Sequence, residues 1–272
     1  MEWSKLKNII LIMLAAVNLC LLFFVVQREW RDSANQRLNR QQAVDFLTDR
    51  GIQIHEGQLP DDQMVPRPQT VERDQEAESR LATQLLGEDV VVQARGAGVY
   101  RYQNGAGALQ FHSDGSFSAE LSPDSFPLGV DQERSCLDLL TQIGFEGETT
   151  ARDENTLTVR QSWEGIPLFN HQVTLVWGSE GLETMTAGRR LVGSPVERTD
   201  QRPITVASAL VYFYNGLNGL GDVCNQVDSI VQGYISVTSL SGPMELIPVW
   251  RVTTDTGAYQ LDLLTGELNR VE

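Results

Sequence analysis

The sequence contains few residues of the kinds that build metal centres, disulfide frameworks and catalytic triads. Its 272 residues include three cysteines and three histidines. No second histidine, cysteine or acid stands at a metal-ligand spacing from His55, His112 or His171, so we predict no metal site and no cofactor. The sequence also lacks a Gly-x-Ser-x-Gly nucleophile motif and a phosphate-binding loop. It offers no candidate catalytic residue, and we expect the protein not to be an enzyme.

Positive charge is scarce as well. Lysine and arginine together number 21 against 36 aspartates and glutamates, which gives a net charge of −15 at pH 7. An acidic surface repels nucleic acid, anionic lipid headgroups and phosphate-bearing polymers. We therefore expect no nucleic-acid partner.

The cysteines leave two alternatives open. Cys20 lies within a long apolar run, whereas Cys136 and Cys224 stand alone in the polar remainder of the chain. These two residues would form one disulfide only if their Cα atoms approach each other, which spacing along the chain does not establish. Two separate, buried thiols are the favoured interpretation, because free cysteine is among the most buried residue types.

One long apolar run is present, at residues 9–26, and a single amide, Asn18, interrupts it. At about 1.5 Å per residue a helix of this length spans roughly 27 Å, close to the hydrocarbon thickness of a bilayer. A cleaved signal peptide is the alternative, but no small-residue cleavage site follows the run. We predict an uncleaved transmembrane anchor in the cell membrane. A cytoplasmic N-terminus is preferred, although the flanking basic residues do not favour it.

Asn18 is the most informative residue of the run. Its donors and acceptors find no partner in hydrocarbon unless another helix supplies one, and such bonds are worth about 0.6–2 kcal/mol. Helical spacing places it in one stripe with three other residues, and Ala15 allows a close approach. The alternative is that the amide is merely tolerated, bonding its own backbone. We predict a partner-binding stripe, formed by Leu11, Ala15, Asn18 and Leu22.

The remainder of the chain predicts an α+β fold. Helical periodicity is followed by short β-rich segments separated by turn residues, and this order occurs twice and, less clearly, a third time. A strand alternation places His171 on an apolar face, where a satisfied core histidine is more common than a metal ligand. We divide the chain into a cytoplasmic tail (1–8), a transmembrane helix (9–26), membrane-proximal helices with a small antiparallel sheet (27–130), and two helix-plus-sheet units (131–193 and 204–272).

The first 24 residues, MEWSKLKNIILIMLAAVNLCLLFF, resemble the start of the YycI family, a sister of YycH. Members begin with an acid, a tryptophan and a serine, continue with basic residues, and carry a polar residue partway along a single span. The C-terminal segment IPVWRVTTDTGAYQLDLLTGEL is similar to the ending of that family and of PepSY-like domains. The matching N-terminal positions are Glu2, Trp3, Ser4, Lys5, Lys7 and Asn18.

The resemblance implies a membrane-anchored regulator in the bilayer of a Gram-positive bacterium. Such proteins associate with a YycH-like protein and with a WalK-type sensor histidine kinase of a two-component system. They modulate cell-wall metabolism, largely through transmembrane helix contacts, with the C-terminal domain outside the cytoplasm. Two rival functions are an extracytoplasmic PepSY-like binding module or inhibitor of an exported peptidase, and a membrane-tethered wall enzyme.

Overall fold

A computed structural model describes residues 13–15, 17–22, 35–191, 193–238 and 242–271. Residues 13–15 and 17–22 are helical, and helix α1 covers residues 35–48. Three further helices follow, α2 (Gln75–Leu86), α3 (Gln132–Gln142) and α4 (Val206–Leu220). The strands are β1 (Gln69–Val71), β2 (Val91–Ala94), β3 (Tyr100–Asn104), β4 (Gly107–Phe111), β5 (Ser116–Leu121), β6 (Gly147–Asp153), β7 (Thr156–Trp163), β8 (Ile166–Trp177), β9 (Leu182–Arg189), β10 (Pro195–Glu197), β11 (Val227–Thr238), β12 (Met244–Thr254), β13 (Gly257–Asp262) and β14 (Leu268–Val271).

Side-chain caps fix where three of the helices begin. The carboxylate of Asp74 accepts a hydrogen bond from Ala77 N at the start of α2, and Asp131 does the same for Arg134 N at α3. Thr205 caps α4 in the same way. Each bond satisfies one of the backbone N–H groups that the first turn of a helix leaves without an intrahelical partner.

Helices α2, α3 and α4 are each followed by four strands that pair antiparallel in sequence order. The first meander is β2–β5, the second β6–β9 and the third β11–β14. Consecutive strands joined by tight turns give this arrangement. At Asp114-Gly115 between β4 and β5, the aspartate accepts from Ser116 N at 2.9 Å and Gly115 has a φ of +79°.

The first two meanders join into one antiparallel sheet because β5 pairs with β9. The strand order across it is β2-β3-β4-β5-β9-β8-β7-β6. Apolar side chains of α2 and α3 pack with the apolar residues of these strands in one core, which includes Leu81 of α2, Leu140 of α3 and Leu109 of β4. The alternating burial of β5 and β7 shows that helices cover only one face of the sheet.

The third meander has its own core. Helices α1 and α4 cover it, and Leu47 and Phe213 lie fully buried with Trp250 and Tyr259. Strands β1 and β10 extend this sheet beside the first residues of β12. A parallel contact between Leu168 on β8 and Tyr234 on β11 joins it to the second meander. A small third cluster, including both residues, fills this junction.

The α+β class is confirmed, with a body made mostly of sheet. One boundary differs from what the sequence pattern predicts. The helical spacing of Ala77, Leu81 and Leu85 predicts a helix from about Val71 to Leu86, but α2 begins at Gln75. Val71 instead ends β1, paired with Met244 and Pro195, since the Asp74 cap stops the helix from extending further toward the N-terminus.

No helix among the described residues is long and apolar enough to cross a membrane. The predicted tail at 1–8 lies outside the described residues, as do positions 9–12, 16 and 23–26 of the predicted span.

Candidate functional site

The predicted stripe is described in part. Ala15, Asn18 and Leu22 are helical, and all three are exposed. Steps of three and four residues place them on one helix face. Leu11 lies outside the described residues. All the other described residues from 13 to 22 are exposed as well, so exposure does not distinguish the stripe from the rest of this segment.

A cavity of about 460 Å³ lies at one end of the eight-stranded sheet, where α2, the turn after α3 and the end of β7 meet. Its volume is within the range of small-molecule sites. The wall is mixed, because Leu81, Trp163 and Leu191 are apolar whereas the remaining side chains are mainly charged or polar. The charged and amide-bearing residues of the wall are Asp74, Glu78, Arg80, Glu146, Gln161, Glu164 and Arg190.

Arg190 is the unusual group of this wall. It follows directly after β9, its side chain is only 7% exposed, and its Nη2 donates to Ile143 O at 3.1 Å. Its Nε donates to Leu191 O at 3.4 Å. Nη1 is buried and has no hydrogen-bond partner among the described residues, and no described acid forms an ion pair with Arg190. The positive charge of this guanidinium is therefore held only by carbonyl oxygens.

Burial lowers the pKa of Arg190 to about 10. The group still carries its proton at neutral pH. Burying a cation without a counterion costs free energy, because the low-dielectric interior stabilises the charge less than water does.

A second charged group of the wall is fully compensated. Glu78 on α2 is 0% exposed and receives two bonds from Arg73, Nε to Oε1 at 2.6 Å and Nη2 to Oε2 at 3.0 Å. This bidentate pair has the geometry preferred for guanidinium and carboxylate. Glu78 is therefore already engaged and does not neutralise Arg190.

A buried polar network lies behind the cavity. Gln161 Oε1 accepts from Leu191 N at 2.9 Å and lies 3.3 Å from His171 Nδ1. The amide oxygen can only accept, so Nδ1 carries the proton and Nε2 accepts from Ser236 Oγ at 2.8 Å. Burial, assisted by the positive charge of Arg189, lowers the pKa of His171 to about 3. The imidazole is thus a neutral member of the core, as predicted.

The described residues contain no group of three or more histidine, cysteine or acidic side chains arranged to hold a metal ion. Cys136 and Cys224 are free and buried in two different cores. The prediction of two separate buried thiols is confirmed. Burial raises the pKa of each thiol to about 11, which disfavours the reactive thiolate.

Arg190 was not singled out from the sequence, although a signal was present. Arg189 and Arg190 are adjacent at the end of a strand-like segment, and neighbouring strand residues point to opposite faces. One arginine of such a pair must therefore turn toward the covered side. In the structure Arg189 bonds Asp114 Oδ2 at 3.2 Å and remains partly exposed, whereas Arg190 turns inward.

Neither a protein-family profile nor a curated protein matches the sequence. The solved structures with a similar fold include the following two. One is an uncharacterized protein from Eubacterium rectale, with a TM-score of 0.43 and 11% identity over 76% of this chain and 86% of the other. The second is the C-terminal domain of YpeB from Bacillus megaterium, with a TM-score of 0.39 and 11% identity over 75% of this chain and 99% of that domain.

Proposed function

We propose that this protein is a membrane-anchored accessory regulator of a two-component sensor histidine kinase that controls cell-wall metabolism. In this proposal the N-terminus is cytoplasmic, the sheet-rich body is extracytoplasmic, and a YycH-like protein takes part. The observation that carries the proposal is the single amide, Asn18, in the apolar run at residues 9–26, with Ala15 and Leu22 at helical spacing from it. The resemblance of the N-terminal sequence to the YycI family supports it.

The energetics of one helix contact are sufficient for regulation. An amide that gains a partner across a helix interface in hydrocarbon contributes about 0.6–2 kcal/mol. A kinase with two signalling states responds to any partner that binds one state better. Differential binding of about 1–3 kcal/mol shifts such an equilibrium roughly 5- to 150-fold. Asn18, with Ala15 and Leu22 packed against a partner helix, would supply a contact of this size.

The packing of α1 supports a mechanical connection to the body. Ala43, Val44 and Leu47 of this helix are buried in the core that also contains α4. Phe46 packs edge-on against Tyr214 with ring centroids 5.4 Å apart. Helix α1 is therefore part of the third core, and the described body is folded from residue 35 onward.

The cavity at Arg190 favours a second candidate, an extracytoplasmic binding module such as a PepSY-like inhibitor of an exported peptidase. A binding module requires only that its body reach the correct compartment. A regulator that acts through helix contacts also requires the native sequence of residues 9–26.

Replacing residues 9–26 by an unrelated single span of equal length separates the two candidates. The regulator predicts loss of kinase modulation in a reporter strain, with the same amount of protein in the membrane fraction as in the wild type. Full modulation by the exchanged protein would contradict the regulator and favour the binding module.

A further inference from the structure

We propose that the cavity beside Arg190 is a ligand site for the α-carboxylate of a free amino acid or a short peptide, with Arg190 as its counterion. The site is separate from the stripe of Ala15, Asn18 and Leu22, so a test of ligand binding there does not depend on the kinase proposal. Three features of the wall lead to this ligand class.

The first feature is the unpaired charge. Arg190 is more than nine-tenths buried, lines the cavity, and has one nitrogen, Nη1, without a partner in the described part of the chain. Its two other nitrogens are already held by the carbonyls of Ile143 and Leu191, which fix the plane of the guanidinium. A carboxylate that entered the cavity would lie beside this guanidinium and compensate its charge.

The second feature is the acidic surroundings of the Arg190 guanidinium. The other cation of the wall, Arg80, is exposed and pairs with Asp74, Nη2 to Oδ2 at 3.5 Å. Glu146 and Glu164 lie on the same wall, and both are exposed. They oppose phosphates and other multiply charged anions, and the net charge of −15 adds to this repulsion. They favour a ligand that carries an ammonium group together with its carboxylate. This charge pattern selects a zwitterion.

The third feature is the apolar part of the wall. Leu81 and Leu191 are buried, and Trp163 is half-buried. These side chains line the same cavity as the acidic residues and Arg190. An aliphatic or aromatic side chain of the ligand would gain burial there at about 25 cal/mol per Å² of apolar surface.

The test is calorimetric titration of the full-length chain in detergent micelles with three probes. These are glycyl-leucine, free leucine, and glycyl-leucinamide, in which the carboxylate is replaced by a neutral amide. We expect saturable binding of at least one carboxylate probe, and binding of the amide at least about tenfold weaker, the loss expected when a charged acceptor is removed. Binding of leucine as tight as the dipeptide identifies a free amino acid as sufficient, and preference for the dipeptide identifies a chain terminus.

Two variants complete the test. Arg190→Gln should weaken binding of the carboxylate probe about 10- to 100-fold. Arg189→Gln is the matched control, since it removes the neighbouring charge on the other face, and its affinity should stay within about twofold of the wild type. The proposal is wrong if neither carboxylate probe binds at about 10 mM, if the amide binds equally well, or if Arg190→Gln binds like the wild type. Should Arg190→Gln fail to fold, the comparison of carboxylate and amide probes on the wild-type protein decides alone.

Discussion

The side chain of Asn170 on β8 is bonded to the backbone of Ser236 on β11 at both ends of its amide. Nδ2 donates to Ser236 O at 2.8 Å, and Oδ1 accepts from Ser236 N at 2.9 Å. Strands β8 and β11 share a single backbone register pair, Leu168 with Tyr234, so this side chain extends their pairing beyond the point where it ends. Asn170 therefore connects the eight-stranded sheet to the third meander.

Asn170→Ala should lower the free energy of unfolding by about 1–3 kcal/mol, because it leaves a donor and an acceptor of Ser236 without partners. Denaturant titration of the full-length chain measures this change. Asn269→Ala is the control, since that exposed residue makes only a long side-chain bond to Glu267, and it should cost less than about 0.5 kcal/mol. Equal stability of the Asn170→Ala variant and the wild type would show that the junction does not depend on this amide.

His171 should make the protein sensitive to mild acid. Its pKa is lowered to about 3 in the fold, below the ordinary value of roughly 6.5 that it regains on unfolding. Between these values the unfolded chain binds the extra proton, so stability rises with pH and is lost as pH falls below about 6.5. At about pH 5 the loss attributable to His171 is about 2 kcal/mol.

His171→Gln should remove this contribution while retaining a polar side chain. Denaturant midpoints of wild type and variant, measured from neutral pH down to about 5, give the difference in slope. We expect the variant to lose less stability over this interval. Parallel pH profiles for the two proteins would contradict the neutral, buried state of the imidazole.

Two glycines of α4 should respond to alanine in opposite directions. A Cβ at Gly216 would stand 2.4 Å from Leu268 Cβ on β14, whereas a Cβ at Gly219 meets nothing within 4 Å. Gly216→Ala should destabilise the protein by about 1–3 kcal/mol through overpacking. Gly219→Ala should stabilise it by about 0.5–1 kcal/mol through helix propensity. Thermal unfolding of the two variants checks the signs, and a gain of stability for both would refute the close packing of α4 on β14.

Local elements were largely predictable from the sequence because they depend on local rules. An acid before a helical pattern and a glycine after it predict helix ends, and Asp131 and Gly144 bracket α3 in this way. An Asp-Gly pair predicts a hairpin turn, and Asp114-Gly115 forms one. These signals come from capping and from glycine's tolerance of positive φ, which act within a few residues. The pairing of β5 with β9 and of β8 with β11 has no such local signal, since any exposed strand edge offers the same backbone groups.

Pro248 shows how a local rule gives an incomplete answer. A proline inside a strand predicts an edge or a bulge, yet Pro248 lies within β12 and pairs with Tyr234 on β11. The neighbour on the other side of β12 changes here, from β1 opposite 244–246 to β13 opposite 249–254. Pro248 O accepts from Leu263 N on that side, so the missing N–H faces the gap between the two neighbours. The burial of Arg190 is likewise not predictable from local sequence rules, because it follows from how α2 and α3 cover the sheet.

Co-purification of the sensor kinase with an Asn18→Leu variant measures whether the amide of Asn18 binds a partner helix. The Asn18→Gln variant should still bind the kinase, because it keeps an amide at this position. The double variant Asn18→Leu with Cys20→Asn moves the amide to the opposite helix face, and it should not restore binding. Asn18→Leu should lower the amount of co-purified kinase by about 3- to 30-fold, the equivalent of one interhelical amide bond. Unchanged co-purification together with unchanged kinase signalling would contradict this prediction.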